Sequence, residues 1–192
     1  PMKEVLDFYS KKINNSKVLS KLKIKKNNFF LVSLHREENL DYEEKLKRVP
    51  QILNKLVEEF SLPVIVSTHP RARKKIEKSN FKFSDQVSFL DPFGFSDYCF
   101  LQMNSRCVLS DSGTITEESS ILNFPALNLR VSHERPEGLE EGAVMSVGLS
   151  IDKIINALHV IKNQSRGEKR DLRIVKDYDV NNVSEKLVRI IL

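Results

Sequence analysis

Apolar and polar positions change period repeatedly along this chain. Residues 29–34 (Phe-Phe-Leu-Val-Ser-Leu) form a continuous apolar run, the kind buried on both faces of a parallel sheet. Shorter runs at 62–67, 87–90, 107–109, 125–130 and 143–147 bring the predicted strands to six. Between them the apolar spacing turns helical. Residues 5–13 carry Val5, Leu6, Phe8, Tyr9 and Ile13, and read as a connector helix. Residues 42–60 carry Leu46, Val49, Ile52, Leu53, Leu56, Val57 and Phe60, an amphipathic stripe. Pro50 lies inside that stripe and is expected to kink or split the helix. Further helices are predicted over 71–78, 96–103 (with Phe95, Cys99 and Phe100 inward), 119–123, 151–161 and 180–191. A charged stretch, 163–171, interrupts before the last of them. Alternation of strand and helix predicts an α/β fold with a doubly wound parallel sheet, although strand order is not readable from the pattern.

Ligands of such sheets sit outside the carboxyl ends of the strands. Unusual polar or anchoring groups fall at those ends here: His35-Arg36, His69, Phe93, Asp111-Ser112-Gly113 and Glu134-Arg135. The stretch Leu109-Ser110-Asp111-Ser112-Gly113-Thr114-Ile115-Thr116-Glu117-Glu118 is the centre of the set. A strand turning there into a helix leaves backbone N–H groups pointing outward, at the positive end of the helix dipole, which suits an anion such as phosphate. Ser112 adds a hydroxyl, Gly113 allows close approach to the main chain, and Glu118 stands one turn in, within reach of a ribose. Taken alone, the same residues are better explained as ordinary N-capping, and it is their neighbours that change the balance.

With 192 residues, the chain is expected to form one domain over 1–192, and Pro1-Met2 suggests a segment cut from something longer. The net charge of +5 comes from interspersed acids and bases. Lys21, Lys23, Lys25 and Lys26 flank a strand without any aromatic-studded groove, which argues against nucleic acid as a partner. Cys99 and Cys107 lack a CxxC partner and read as free buried thiols of a reducing compartment. No apolar run approaches the roughly 20 residues of a membrane span, and no cleavable signal is read, so a cytoplasmic location off the membrane is expected. The four histidines show no metal-ligand spacing, and His159 reads as filler within its helix, so neither metal nor cofactor is expected. The GxGxxG, GxxxxGK[ST] and GxSxG fingerprints are missing. A His, an Arg and a helix start at one edge still make a diphosphate site.

Three motifs in this order, Ser33-Leu34-His35-Arg36-Glu37-Glu38-Asn39, Asp111-Ser112-Gly113 with Glu117-Glu118, and Glu134-Arg135-Pro136-Glu137, resemble the non-hydrolysing UDP-N-acetylglucosamine 2-epimerase family. The resemblance covers the whole chain as the C-terminal half of that family's two-domain architecture. Further stretches resemble one branch, the UDP-N-acetyl-L-fucosamine synthases: Ser67-Thr68-His69-Pro70-Arg71, Pro92-Phe93-Gly94-Phe95, Ser112-Gly113-Thr114-Ile115 and His133-Glu134-Arg135-Pro136-Glu137-Gly138. It implies a Rossmann-like domain of a GT-B-like protein, holding the UDP of a UDP-sugar substrate. Ser112, Gly113 and Thr114 would contact the diphosphate, Thr114 standing where the glucosamine epimerases have glycine. Glu118 would hold the ribose, Arg135 a phosphate, and Phe93 and Tyr98 would lie near the uracil. His35 would sit by the diphosphate as the catalytic candidate.

The resemblance further implies an isomerase that eliminates UDP to a glycal and re-adds it after protonation at the opposite face of C2. The expected product is UDP-N-acetyl-L-fucosamine for capsule or O-antigen synthesis, made by a homodimer in the full-length protein. The family's acid–base carboxylates lie in the N-terminal domain, so this half is expected to bind UDP weakly and not to epimerise. Alternatives left open are a glucosamine epimerase making UDP-N-acetylmannosamine, a GT-B glycosyltransferase, and a non-enzymatic UDP-sensing or interaction domain.

Overall fold

Successive residues of the central strands face opposite layers, because side chains alternate across a sheet. The computed structural model describes residues 1–34, 43–68, 73, 75, 81–130 and 135–192. Its strands are β1 (Phe30–Leu34), β2 (Val64–Thr68), β3 (Val87–Leu90), β4 (Cys107–Ser110), β5 (Ala126–Asn128) and β6 (Met145–Ser146). They form one sheet in the order β3-β2-β1-β4-β5-β6, parallel throughout. This is the Rossmann-like order, and its direction of winding reverses between β1 and β4.

The helices in chain order are α1 (Met2–Asn14), α2 (Val18–Leu22), α3 (Glu43–Phe60), α4 (Phe95–Asn104), α5 (Ile115–Leu122), α6 (Pro136–Glu140), α7 (Ile151–Ile161) and α8 (Val183–Ile191). A 3-10 turn, Lys176–Tyr178, precedes α8. Phe30, Val32, Leu34, Val64, Val66, Leu109 and Leu127 pack on one face against Leu53 and Leu56 of α3 and Ile154 and Leu158 of α7. Phe29, Leu31, Ile65, Val108 and Ala126 face the other way, onto Leu101 of α4, Ile115 of α5 and Val18 of α2. Helix α1 forms an outer layer, burying Leu6 and Ile13 against Cys99, Met103 and Ile121.

Several expectations shift. Pro50 does not split its helix, since α3 runs unbroken to Phe60. The proline costs about 3 kcal/mol. Val49, Ile52, Leu53 and Leu56 are all buried, at roughly 1.5–3 kcal/mol each, and outweigh that cost. Phe95 is 38% exposed rather than inward, its ring edge-on to Tyr9. Helix α1 is a packed layer rather than a bare connector. The predicted sixth strand shortens to two residues, the last helix begins at Val183, and α2 and α6 were not anticipated. The predicted helix over 71–78 lies largely outside the described residues.

The charged stretch after α7 is a strap across α5 and its neighbours. Arg166 donates to the carbonyls of Ser105 and Arg106 and to Asn27 Oδ1. Arg170 donates to the carbonyls of Ser120 and Ile121, at the end of α5. Asn123 Nδ2 donates to the carbonyls of Gly167 (2.8 Å) and Lys169 (2.6 Å), and the Val175 N–H reaches Ser120 Oγ at 2.9 Å. Among the described residues, no helix is long and apolar enough to cross a membrane.

Candidate functional site

The sheet changes character along one line. Ser67 pairs with Ser33, Ser33 with Ser110, Ser110 with Asn128, and Asn128 with Ser146. This row crosses five adjacent strands at their carboxyl ends and marks where the apolar core gives way to a polar edge. The winding reverses at its middle, between Ser33 and Ser110, where a crevice opens in such sheets.

Chain leaving β4 at that point makes the Asp111–Thr114 turn. Asp111 is fully buried, and its N–H reaches the Ser33 carbonyl at 3.3 Å, tying the turn to β1. The Ser112 N–H donates to Ser110 Oγ (3.1 Å), and the hydroxyls of Ser112 and Thr114 share a hydrogen bond of 3.0 Å. Thr114 thus has a side-chain role that glycine could not fill: it orients Ser112. Gly113 does not adopt left-handed backbone, so its contribution is room for close approach rather than unusual φ. Thr114, the N-cap residue of α5, makes no side-chain cap bond, and its own N–H lies 3.4 Å from Ser112 Oγ; the N–H groups of the first turn have no intrahelical acceptor.

Glu118 is buried in that first turn, and Gln102 Nε2 of α4 donates to its Oε2 at 2.5 Å. A buried carboxylate needs such partners to remain in place. Gln102's role carries no local signature, because a glutamine inside an apolar helix resembles surface. Tyr98 projects from the same helix with its hydroxyl beside Ser33. Burial pushes its phenol well above the usual range, partly offset by Ser33, and the charges of Glu118 and Asp111 push further upward. Tyr98 and Phe93 are half-buried against the α4 side of the core. Cys99, one turn from the site, is buried, and its thiol is pushed up to about 12 by desolvation and by Glu118, which makes it inert.

Arg135 reaches the same place from the far side of β5. Its Nε and Nη2 both contact Glu117 Oε1 of α5, at 2.8 and 2.7 Å. Gly138 makes this approach possible: a Cβ there would stand 2.0 Å from Thr116 Cγ2. Ser112, Gly113, Thr114, Glu118 and Arg135 are therefore gathered around the first turn of α5, with Tyr98 and Phe93 behind it on α4 and the turn before it. Glu117 as the partner of Arg135, and Gly138 as the spacer, were both inside the quoted motifs without an assigned part. His35, like His69, His133 and Glu134, lies outside the described residues. Among the described residues, no three His, Cys, Asp or Glu side chains group to hold a metal.

The family model described as UDP-N-acetylglucosamine 2-epimerase matches residues 1–192. A solved UDP-N-acetylglucosamine 2-epimerase from Rickettsia bellii superposes with a TM-score of 0.89 at 42% identity, covering 99% of this chain and 51% of that one. The Methanocaldococcus jannaschii enzyme, solved with UDP-GlcNAc and UDP, gives 0.84 at 28% identity, covering 98% and 52%. A curated UDP-N-acetylglucosamine 2-epimerase from M. jannaschii is 33% identical over 167 residues, 85% of this chain and 44% of the relative. The chain spans about half the length of these relatives. The match of that family model over residues 1–192, on a fold shared with these solved relatives, places the chain in the UDP-N-acetylglucosamine 2-epimerase family.

Proposed function

We propose that this chain is the UDP-holding, C-terminal half of a GT-B-like UDP-N-acetylhexosamine 2-epimerase. The uncapped start of α5 carries the reading, with the Ser112–Thr114 turn and the Arg135 guanidinium gathered at one helix terminus. First-turn N–H groups, the helix dipole and a guanidinium fork together match a diphosphate. Glu118, with one oxygen held by Gln102, offers the other to ribose hydroxyls. Phe93 supplies apolar surface for the uracil. Tyr98 lies deeper, beside Ser33, and supports the crevice floor.

In the proposed reaction a base takes the C2 proton, the C1–oxygen bond to the diphosphate breaks, and UDP leaves as the glycal forms. Re-addition of UDP with protonation on the opposite face of C2 completes the inversion. Negative charge grows on the departing diphosphate, where the start of α5, Arg135 and His35 stabilise it electrostatically. The base and acid belong to the other half of the full-length enzyme. The product favoured by the His133–Gly138 and Pro92–Phe95 stretches is UDP-N-acetyl-L-fucosamine for capsule or O-antigen assembly. UDP-N-acetylmannosamine is the alternative. The working enzyme is proposed to be a cytoplasmic homodimer.

Calorimetry with UDP tests the binding half of this reading. Saturable heat in the millimolar range that disappears in Ser112→Ala/Arg135→Ala is expected, and no heat from the native chain contradicts it. In deuterated buffer with UDP-GlcNAc, this chain alone is expected to leave the C2 proton unexchanged; sustained exchange would put the acid–base groups here instead.

A further inference from the structure

We propose that Tyr178 is a positioning residue: with Glu137 it closes a clasp that holds Arg135 over the start of α5. The proposal rests on reading Arg135 as a diphosphate contact. Arg135 stands immediately before α6, a five-residue helix with no side-chain cap and, among its residues, only Gly138 buried. So short a helix has no stability of its own, and its placement must come from contacts outside it.

Those contacts converge from two directions. From α5, Thr116 fills the space beside Gly138, and Glu117 accepts both hydrogen bonds from Arg135. From the strap, the Tyr178 hydroxyl donates to Glu137 Oε1 at 2.7 Å. The same hydroxyl lies 3.0 Å from the position a Cβ on Gly138 would take, so tyrosine, glycine and threonine meet at one junction. The turn bearing Tyr178 is itself fixed to α5, because the Val175 N–H donates to Ser120 Oγ. Helix α5 is thus the base for both arms. Desolvation, together with the carboxylates of Glu137 and Glu117, holds the phenol protonated, so it remains a donor across the neutral range. With the Tyr178 bond in place, Glu137 is drawn toward the strap and Arg135, two residues earlier, is left facing Glu117. Without it, Glu137 becomes a second carboxylate free to compete for the guanidinium.

The test is Tyr178→Phe in this chain, followed by amide hydrogen exchange and by titration with UDP and with uridine. Exchange at Gly138, Glu141 and Gly142, whose N–H groups bond within the 135–142 segment, is expected to quicken about tenfold on loss of a charge-assisted bond. Exchange at Val108 and Leu129 in the sheet is expected to stay unchanged. UDP affinity should fall about tenfold while uridine affinity stays within twofold, because only the phosphate contact depends on Arg135. In an Arg135→Ala background the Tyr178→Phe loss should vanish, and Glu137→Gln in the otherwise native chain, which keeps an acceptor oxygen for the Tyr178 hydroxyl, should retain most of the native behaviour. Unchanged exchange in 138–142, equal losses for UDP and uridine, or additive losses in the double variant would each overturn the clasp. If the native chain binds no UDP, the diphosphate reading fails, while the exchange data still decide the clasp.

Discussion

The two ends of helix α5 are built on opposite principles. Three of its last four carbonyls have named partners: Ser119 accepts from Asn123, and Ser120 and Ile121 accept from the Arg170 guanidinium. Asn123, in left-handed backbone, then locks onto Gly167 and Lys169. At its N-terminus the N-cap residue Thr114 makes no side-chain cap bond, and the nearby hydroxyls, Ser112 and Thr114, bond to each other, Ser112 Oγ also lying 3.4 Å from the Thr114 N–H. Helices normally satisfy both ends. A helix tied down so thoroughly at one end can present the other to a ligand without losing its place. On the proposed function, stability and binding fall to different ends of eight residues.

Substitutions can separate the two. The largest effect is expected from Gly138→Ala, because the new methyl meets the buried, β-branched Thr116. It should cost about 1–3 kcal/mol by denaturant unfolding and, by displacing Arg135, weaken UDP binding by about the tenfold that loss of the Arg135 contact costs. Arg170→Ala attacks the C-terminal end. It should lower stability by about 1–2 kcal/mol, discounted for partial exposure, while folded protein keeps its UDP affinity within twofold in calorimetry. Arg135→Ala is the reverse case. Its ion pair with Glu117 is partly screened, so stability should change by less than about 1 kcal/mol, yet UDP should bind roughly tenfold more weakly. Loss of stability and affinity together in both arginine variants would erase the distinction.

The smallest effect at neutral pH belongs to the buried thiols. Burial raises Cys107 from about 9 to about 12, so the folded state holds its proton more tightly than the unfolded chain does. That stabilising contribution is complete below about pH 9 and erodes as pH climbs toward 12. A thermal melt series from pH 8 to 11 should show the decline, and Cys107→Ala should make it shallower, with Cys99 carrying part of the remainder, without change in UDP binding at pH 8.

Much of this was readable from the chain because the relevant signals are local. Continuous runs such as Phe30–Leu34 announce strands buried on both faces, and alternation of elements announces a wound sheet. Polar bursts after strands mark the edge at which Ser112, Glu118 and Arg135, expected as site residues, are gathered around α5. What stayed hidden depends on pairs far apart in sequence. Strand order is set by packing, not by any run of residues. The strap looked like a solvated charged interruption, because Arg166 and Arg170 bind backbone carbonyls, which have no sequence signature. Tyr178 is 41 residues from Glu137, and nothing in its neighbourhood marks it. Phe95 shows the opposite failure, an aromatic at a helical inward position that the structure leaves at the surface beside Tyr9.

Backbone NMR titration of the chain with UDP tests the central claim most directly. The account predicts saturable shifts at Ser112, Gly113 and Ile115–Glu118, extending to Arg135 and Phe93, with the far face of the sheet at Ile154 and Leu158 silent. Shifts clustered on the α3 and α7 layer, or a silent Ser112–Glu118 segment at saturating UDP, would contradict it.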